Sequence, residues 1–224
     1  MRSDRKPIIL VTGFGAFPGA PSNPTQAIIG RLARHAVRRL GRLGIDLRLA
    51  VLPVTFAQTA RDLPRLLVDV NPDMVLHLGL AGKRKTITVE TRGLNRLTIL
   101  RQDAAGKVAP QIEVRRGGAF DIRAGAPVGQ VISAIAATGL PVRPSISAGD
   151  YVCNHALYVS LAEGFRAGFI HVPRPRGCKP VRADRPVRPT IEQMSAAVLA
   201  ACLVMGARLR SSTPAGVDRS RPVF

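Results

Sequence analysis

The chain has 224 residues, 46% of them apolar, and a formal net charge of +19 that is almost entirely arginine. This length suits one sizeable domain with its own core, and no window approaches the roughly 18 uninterrupted apolar residues of a membrane helix. The charge invites a nucleic-acid or membrane-surface partner, but the arginines are scattered rather than gathered in a stripe, and seven Phe and two Tyr give bases no stacking platform.

The elements follow in chain order. "PIILVTGF" is a short apolar run and reads as a buried strand. Behind the basic N-terminus this run is too short for a secretory signal, so a cytoplasmic location with reduced thiols is expected. Asn23 and Pro24 then form a helix start, cap and first position, for a helix running to about Leu43. "DLRLAVLPV" is a second strand, and "TFAQTARDLPRLLVDV" a helix that Pro64 could cut or kink. "PDMVLHLGL" is apolar on both faces, as a central parallel strand requires. "TITVETRGLNRLTIL" suggests a strand or hairpin excursion, and residues 101–130 resist assignment until the short helix "GQVISAIAATG". "RPSISAGDY" reads as a strand, "CNHALYVSLAEGF" as a helix ended by Gly164, and "AGFIHVP" as a strand closed by Pro173. A long loop leads to the last helix, opened by the capping box Thr190-x-x-Gln193. Alternating strands and helices predict a single domain over residues 1–224, a three-layer α/β/α sandwich with a mainly parallel twisted sheet, with a basic tail from about residue 210.

Few segments invite chemistry. "VTGFGAFPG" follows the first strand, but Pro18, Pro21 and Pro24 keep the loop from opening into a helix, and no acidic residue follows about twenty positions on. A dinucleotide site is therefore disfavoured, and Phe14 and Phe17 carry two readings: core packing, or an apolar wall for a small ligand. Three cysteines, Cys153, Cys178 and Cys202, are widely spaced without a C-x-x-C pair, so neither a zinc knuckle nor a disulfide framework is suggested. Cys202 reads as a buried helix residue, and Cys178 as an exposed thiol in a basic loop.

Cys153 is different, because it follows a strand and opens a helix. Unpaired backbone N–H groups and the helix dipole there would stabilise a thiolate, and the same groups could hold an oxyanion. Of the histidines, His35 reads as solvated and His77 as a satisfied core residue. His155 is roughly 200° from Cys153 around the helix and diverges from it. His171 ends the strand that follows the helix of Cys153, so a right-handed parallel crossover would bring both to one rim of the sheet. A buried carboxylate would orient such an imidazole, and Glu90 leads the candidates; an ordinary exposed strand glutamate is the competing reading.

Four blocks, "TGFGAFPGAPSNPT", "LGLAGKRKTITVETRGLN", "AGDYVCNHALY" and "GFIHVP", occur in an order that resembles pyroglutamyl-peptidase I over about residues 7–205. The resemblance implies a cytosolic cysteine peptidase that removes an N-terminal pyroglutamyl residue from peptides through a thioester acyl-enzyme. It implies a triad of Glu90, Cys153 and His171, and a substrate site of Phe14, Phe17, Asn23, Leu80, Tyr151 and Val152. It further implies an oxyanion region that includes Arg101, no metal or cofactor, and a homo-oligomer (dimer or tetramer). Departures from the family pattern are Leu80 for a glutamine, Thr91 for an arginine, "TILRQDA" for "DARIPDN", and a basic loop for "YLPEQ". Two rivals remain at this stage: a homologue that binds small lactam or peptide ligands without turnover, and a polyanion-binding protein using the charge.

Overall fold

The computed structural model describes residues 5–176 and 188–211. Cys178 and nearly all of the basic tail lie outside the described residues. The chain opens with β1 (Ile8–Phe14). Asn23 then caps α1 (Pro24–His35), its Oδ1 accepting from the Thr25 N–H with Pro24 at the first helical position. The helix does not run on to Leu43. It breaks at Ala36, and a separate α2 (Val37–Arg42) lets both Ala36 and Leu40 reach the core while Arg38, Arg39 and Arg42 stay exposed.

After β2 (Asp46–Leu52), α3 (Phe56–Val70) is capped by Thr55, whose hydroxyl accepts from the Gln58 N–H. Pro64 lies inside α3 without cutting it; Ala60, whose carbonyl loses its helical partner, is exposed to solvent. β3 (Met74–Leu80) follows, and the "TITVETRGL" stretch splits between two sheets. β4 (Ile87–Glu90) joins the main sheet, whereas β5 (Arg92–Leu94) pairs antiparallel with β6 (Asp121–Arg123). α4 (Val128–Ala136) leads to β7 (Val142–Ser145), which begins and ends earlier than "RPSISAGDY" suggests because the chain must turn at Gly149 (φ 87°) before the next helix. α5 (Val152–Ala162) is closed by Gly164 at φ 80° and is followed by β8 (Ala167–Val172). α6 (Ile191–Ser211) is opened by the expected capping box: the Gln193 N–H donates to the Thr190 hydroxyl, and Gln193 Oε1 accepts from the Thr190 N–H.

The main sheet has six strands in the order β2-β1-β3-β8-β4-β7. β2, β1, β3 and β8 are parallel; β4 runs antiparallel to β8, and β7 parallel to β4. The route from β7 through α5 to β8 is therefore no parallel crossover, contrary to the sequence expectation. β4 lies between the two strands and runs opposite to β8.

Alternation along the strands separates two cores. Ile9, Val11, Met74, Leu76, Leu78, Ile170 and Val172 pack with residues of α1, α4 and α6. Leu10, Phe14, Val75 and Phe169 pack on the other face with residues of α3 and α5. Cys202 lies in the first of these cores, fully buried, as expected. α6 is long and apolar enough to cross a membrane by length and composition alone, yet Met194, Ala197, Val198, Ala201 and Met205 on it are fully buried against the sheet.

Two histidines are packing groups. His77 is fully buried; Nδ1 meets Thr12 Oγ1 at 2.7 Å and Nε2 meets Ser160 Oγ at 2.9 Å, so one neutral ring satisfies both hydroxyls. Burial pushes the pKa of His77 down to about 3 and that of His155 down to about 4. Above pH 6.5 both are neutral whether folded or unfolded, and they leave stability unchanged. As pH falls below that value the unfolded chain takes up protons that the folded chain refuses, so stability declines, by about 1.4 kcal/mol per pH unit per histidine. Urea titrations should therefore show a loss of about 2 kcal/mol between roughly pH 6.5 and 5.5. A flat profile there would contradict the burial of both rings as neutral species.

Candidate active site

The second residue of α5 is Cys153. Tyr151 is the N-cap, extended at φ −109° and without a side-chain cap hydrogen bond, so the first-turn N–H groups are not satisfied by the cap residue. Asn154 fixes this end of the helix. Its Oδ1 accepts from the Leu94 N–H, and its Nδ2 donates to the Leu94 and Arg96 carbonyls. The thiol projects onto the sheet. A Cβ on Gly79 would lie 2.9 Å from Cys153 Sγ and 2.6 Å from the Phe169 ring, so only glycine leaves the thiol this space.

Gly79 is the register partner of His171 on β8, and Thr88 of β4 is its partner on the other side. His171 Nδ1 lies 2.8 Å from Glu90 Oε1, and Glu90 itself has no exposed surface. The reading of Glu90 as an exposed strand glutamate is thereby overturned. Arg84 closes the network, its Nη1 donating to Glu90 Oε1 at 2.6 Å and also to Thr88, and its Nη2 to the Ser147 carbonyl at 3.0 Å. Glu90, His171, Gly79 and Cys153 thus share the α5 face of the sheet. Glu90 reaches His171 because β4 is antiparallel to β8, and the expected crossover plays no part.

The electrostatics follow from burial. Burial alone would raise the pKa of Glu90, but the hydrogen bond and charge of His171, with hydrogen bonds from Ser145 and Arg84, hold it below the usual carboxylate range. Burial lowers the pKa of His171, against the pull of Glu90. For Cys153 burial pushes the thiol up to about 12, opposed by Arg101 and Arg84 and reinforced by Glu90. The thiolate expected from the helix N-terminus is thus not the resting form. Desolvation outweighs the helix end.

Around this group, Phe14 is buried on the same face, Phe17 is half-buried, and Val152 is buried. The Tyr151 hydroxyl donates to the Gln102 carbonyl at 2.9 Å, and its ring packs edge-on against Phe56. The Arg101 guanidinium sits 3.7 Å over the Tyr151 ring, so this arginine reaches the site across the ring. The Asn23 amide is committed to the scaffold, donating to the Gly15 carbonyl and accepting from Thr25, and so fixes the loop that carries Phe17. Leu80 is half-buried; alternation from Gly79 directs its side chain to the opposite face from the thiol. His35 is exposed, and His155 is buried with its Nδ1 unpaired among the described residues.

Sequence reasoning missed Arg84 and Asn154. A cation six residues before a glutamate, and an asparagine directly after a candidate nucleophile, were the available signals. Among the described residues no group of three or more His, Cys, Asp or Glu side chains could hold a metal ion.

The pyroglutamyl peptidase family model matches residues 7–204. The pyrrolidone-carboxylate peptidase of Clavibacter michiganensis is 31% identical over 212 residues, 92% of this chain and 95% of that protein. The enzyme of the same name from Thermococcus onnurineus is 34% identical over 171 residues, 74% of this chain and 82% of that protein. Among solved structures, pyrrolidone carboxyl peptidase from Thermus thermophilus superposes with a TM-score of 0.74 at 37% identity, covering 87% of this chain and 98% of that one. That from Thermococcus litoralis superposes with a TM-score of 0.78 at 28% identity, covering 91% and 95%. With residues 7–204 matched by the family model and nearly its whole length by relatives and solved structures, the chain belongs to the pyroglutamyl peptidase family of cysteine peptidases.

Proposed function

We propose that this enzyme hydrolyses the bond after an N-terminal pyroglutamyl residue of peptides, with Cys153 as nucleophile, His171 as acid–base group and Glu90 as the residue that orients it. The observation that carries this is the buried 2.8 Å bond between His171 and Glu90 beside a thiol lodged against Gly79, the register partner of His171. With Nδ1 engaged by Glu90, Nε2 is the nitrogen free to take a proton. The thiol is neutral at rest, so its proton passes to Nε2 as sulfur attacks the pyroglutamyl carbonyl. The imidazolium, balanced by Glu90, then protonates the leaving amine as the C–N bond breaks. Water, deprotonated by the same nitrogen, cleaves the thioester and releases pyroglutamate.

The backbone N–H groups at the start of α5, with Arg101 over Tyr151, supply positive potential for the oxyanion. Phe14, Phe17, Tyr151 and Val152 supply the apolar enclosure for a lactam ring, while Asn23 and the backbone at Leu80 support its edges. A cytoplasmic setting suits chemistry that needs a free thiol. We take the active form to be a homo-oligomer; Leu100 at 92% and Phe120 at 80% exposure leave apolar surface that a second copy would cover.

Cleavage of pyroglutamyl-7-amido-4-methylcoumarin should be readily measured and should fall at least about a thousandfold in Cys153→Ala, which removes the nucleophile. Undiminished turnover in that variant would sink the mechanism. Arg84→Gln removes a charge that lowers the pKa of His171 and a hydrogen bond that lowers that of Glu90. Both pKa values rise, so His171 protonates at a higher pH. The acidic limb of the kcat/KM profile should move to higher pH, and an unmoved limb would remove Arg84 from the network. Gly79→Ala should cost about 1–3 kcal/mol in stability and displace the thiol, read as slower alkylation by iodoacetamide.

A further inference from the structure

The strand β8 ends at Val172, and Pro173 cannot continue the ladder. Arg174 is the next residue, three beyond His171, and it is exposed. Its guanidinium lies across two loops of the site. Nη2 donates to the Gly19 carbonyl at 3.2 Å, in the loop that carries Phe17. Nε lies 3.1 Å from where a Cβ on Gly82 would be, three residues after the glycine that faces the thiol. Among the described residues one of its five N–H donors is engaged, which leaves the planar fork able to take both oxygens of a carboxylate.

A second cation stands on the same mouth. Arg101 is exposed, stacked on Tyr151, and is the charge that acts most strongly on the Cys153 thiol. The neighbouring carboxylates do not cancel these two. Glu90 is buried and held by His171 and Arg84. Asp103 is buried and accepts from the Phe56, Ala105 and Lys107 N–H groups. Asp150 is half-buried beside Tyr151. Among the described residues none of them pairs with Arg174 or Arg101.

Resting on the peptidase reading above, we propose that the mouth of the site selects pyroglutamyl substrates with a carboxylate on the leaving side, and that Arg174 is the residue that sets this specificity. With the lactam held in the apolar enclosure, whatever follows the scissile bond emerges over the rim where Arg174 and Arg101 stand. The carboxylate can be the side chain of an acidic residue next to pyroglutamate, or the free C-terminus of a dipeptide.

The test compares kcat/KM for four substrates at low salt by release of free pyroglutamate: pyroglutamyl-glutamate with all but its side-chain carboxylate amidated, pyroglutamyl-alanine as the free acid, pyroglutamyl-alanine amide and pyroglutamyl-lysine amide. The first two should exceed the alanine amide by about fivefold, the span of an exposed charge pair, and the lysine amide should fall below it. High salt should compress these ratios. Arg174→Gln should bring them close to one, while Arg174→Lys, which keeps the charge but loses the fork across the two loops, should retain only part of the preference. Loosened loops alone would lower every substrate alike and leave the ratios standing. A preference confined to the glutamyl substrate assigns the carboxylate to the side chain, one confined to the free acid assigns it to the C-terminus, and either supports the proposal. Equal rates in the unmodified enzyme, or ratios that survive Arg174→Gln, would overturn it. Failure to cleave any of the four would instead overturn the peptidase reading.

Discussion

A carboxylate with no exposed surface dictates much of this architecture. Glu90 stays ionised inside the α5 face of the sheet because His171 and Arg84 both bind Oε1, with Ser145 adding to their effect. Buried ion pairs of this kind contribute little net stability, but removing one partner strands the other at a cost of about 3–5 kcal/mol. The three residues come from β4, from β8 and from the loop after β3, so the network holds those segments in one register. The reversal of β4 within an otherwise parallel run of strands makes sense in this light. It sets Thr88 opposite His171 and Glu90 opposite Phe169, which brings the Glu90 carboxylate to Nδ1 of His171.

The same dry surroundings decide the form of the thiol. At an exposed helix N-terminus a cysteine ionises easily. Cys153 instead rests against Gly79 beside Phe169, where burial dominates and raises the pKa of the thiol, as it lowers that of His171. Charge then develops only as bonds change, in a place where Arg101, Arg84 and Glu90 are already fixed by stacking and hydrogen bonds. Preorganised groups act most strongly on charge that appears late in a low-dielectric site.

How much of this could be read in advance depended on how local each cause was. Asn23 and Pro24, Thr190 and Gln193, and Gly164 mark helix ends through contacts within a few residues, and all were legible. The buried strands were legible as apolar runs. The break at Ala36 was not, because Leu32, Ala36 and Leu40 keep the spacing of one continuous helix face, and neither was the reversal of β4, which local pattern leaves free. In the site, Cys153 was suggestive by its position, whereas Glu90 and His171 are 81 residues apart and needed the whole-chain resemblance to be joined. Arg84 escaped notice since an exposed-looking "GKRK" turn carries no sign that one of its cations folds inward.

The departures from the family pattern fall where side chains matter least. Leu80 replaces a glutamine, yet its side chain points to the face opposite the thiol. Thr91 replaces an arginine, and the contacts it makes are through its backbone, with its N–H donating to the Ser145 carbonyl and its own carbonyl accepting from Ala124. In the altered 98–104 segment the chain still returns an arginine to the Tyr151 ring and still anchors itself through the Thr98 N–H on the Asp150 carbonyl. Glu90, Cys153 and His171, the residues proposed to perform the chemistry, share one face of the sheet. Arg174 breaks this rule, being a departure whose side chain does reach the site. A guanidinium laid across the Gly19 and Gly82 loops adds positive charge to the field at that rim, whereas Leu80 and Thr91 add none.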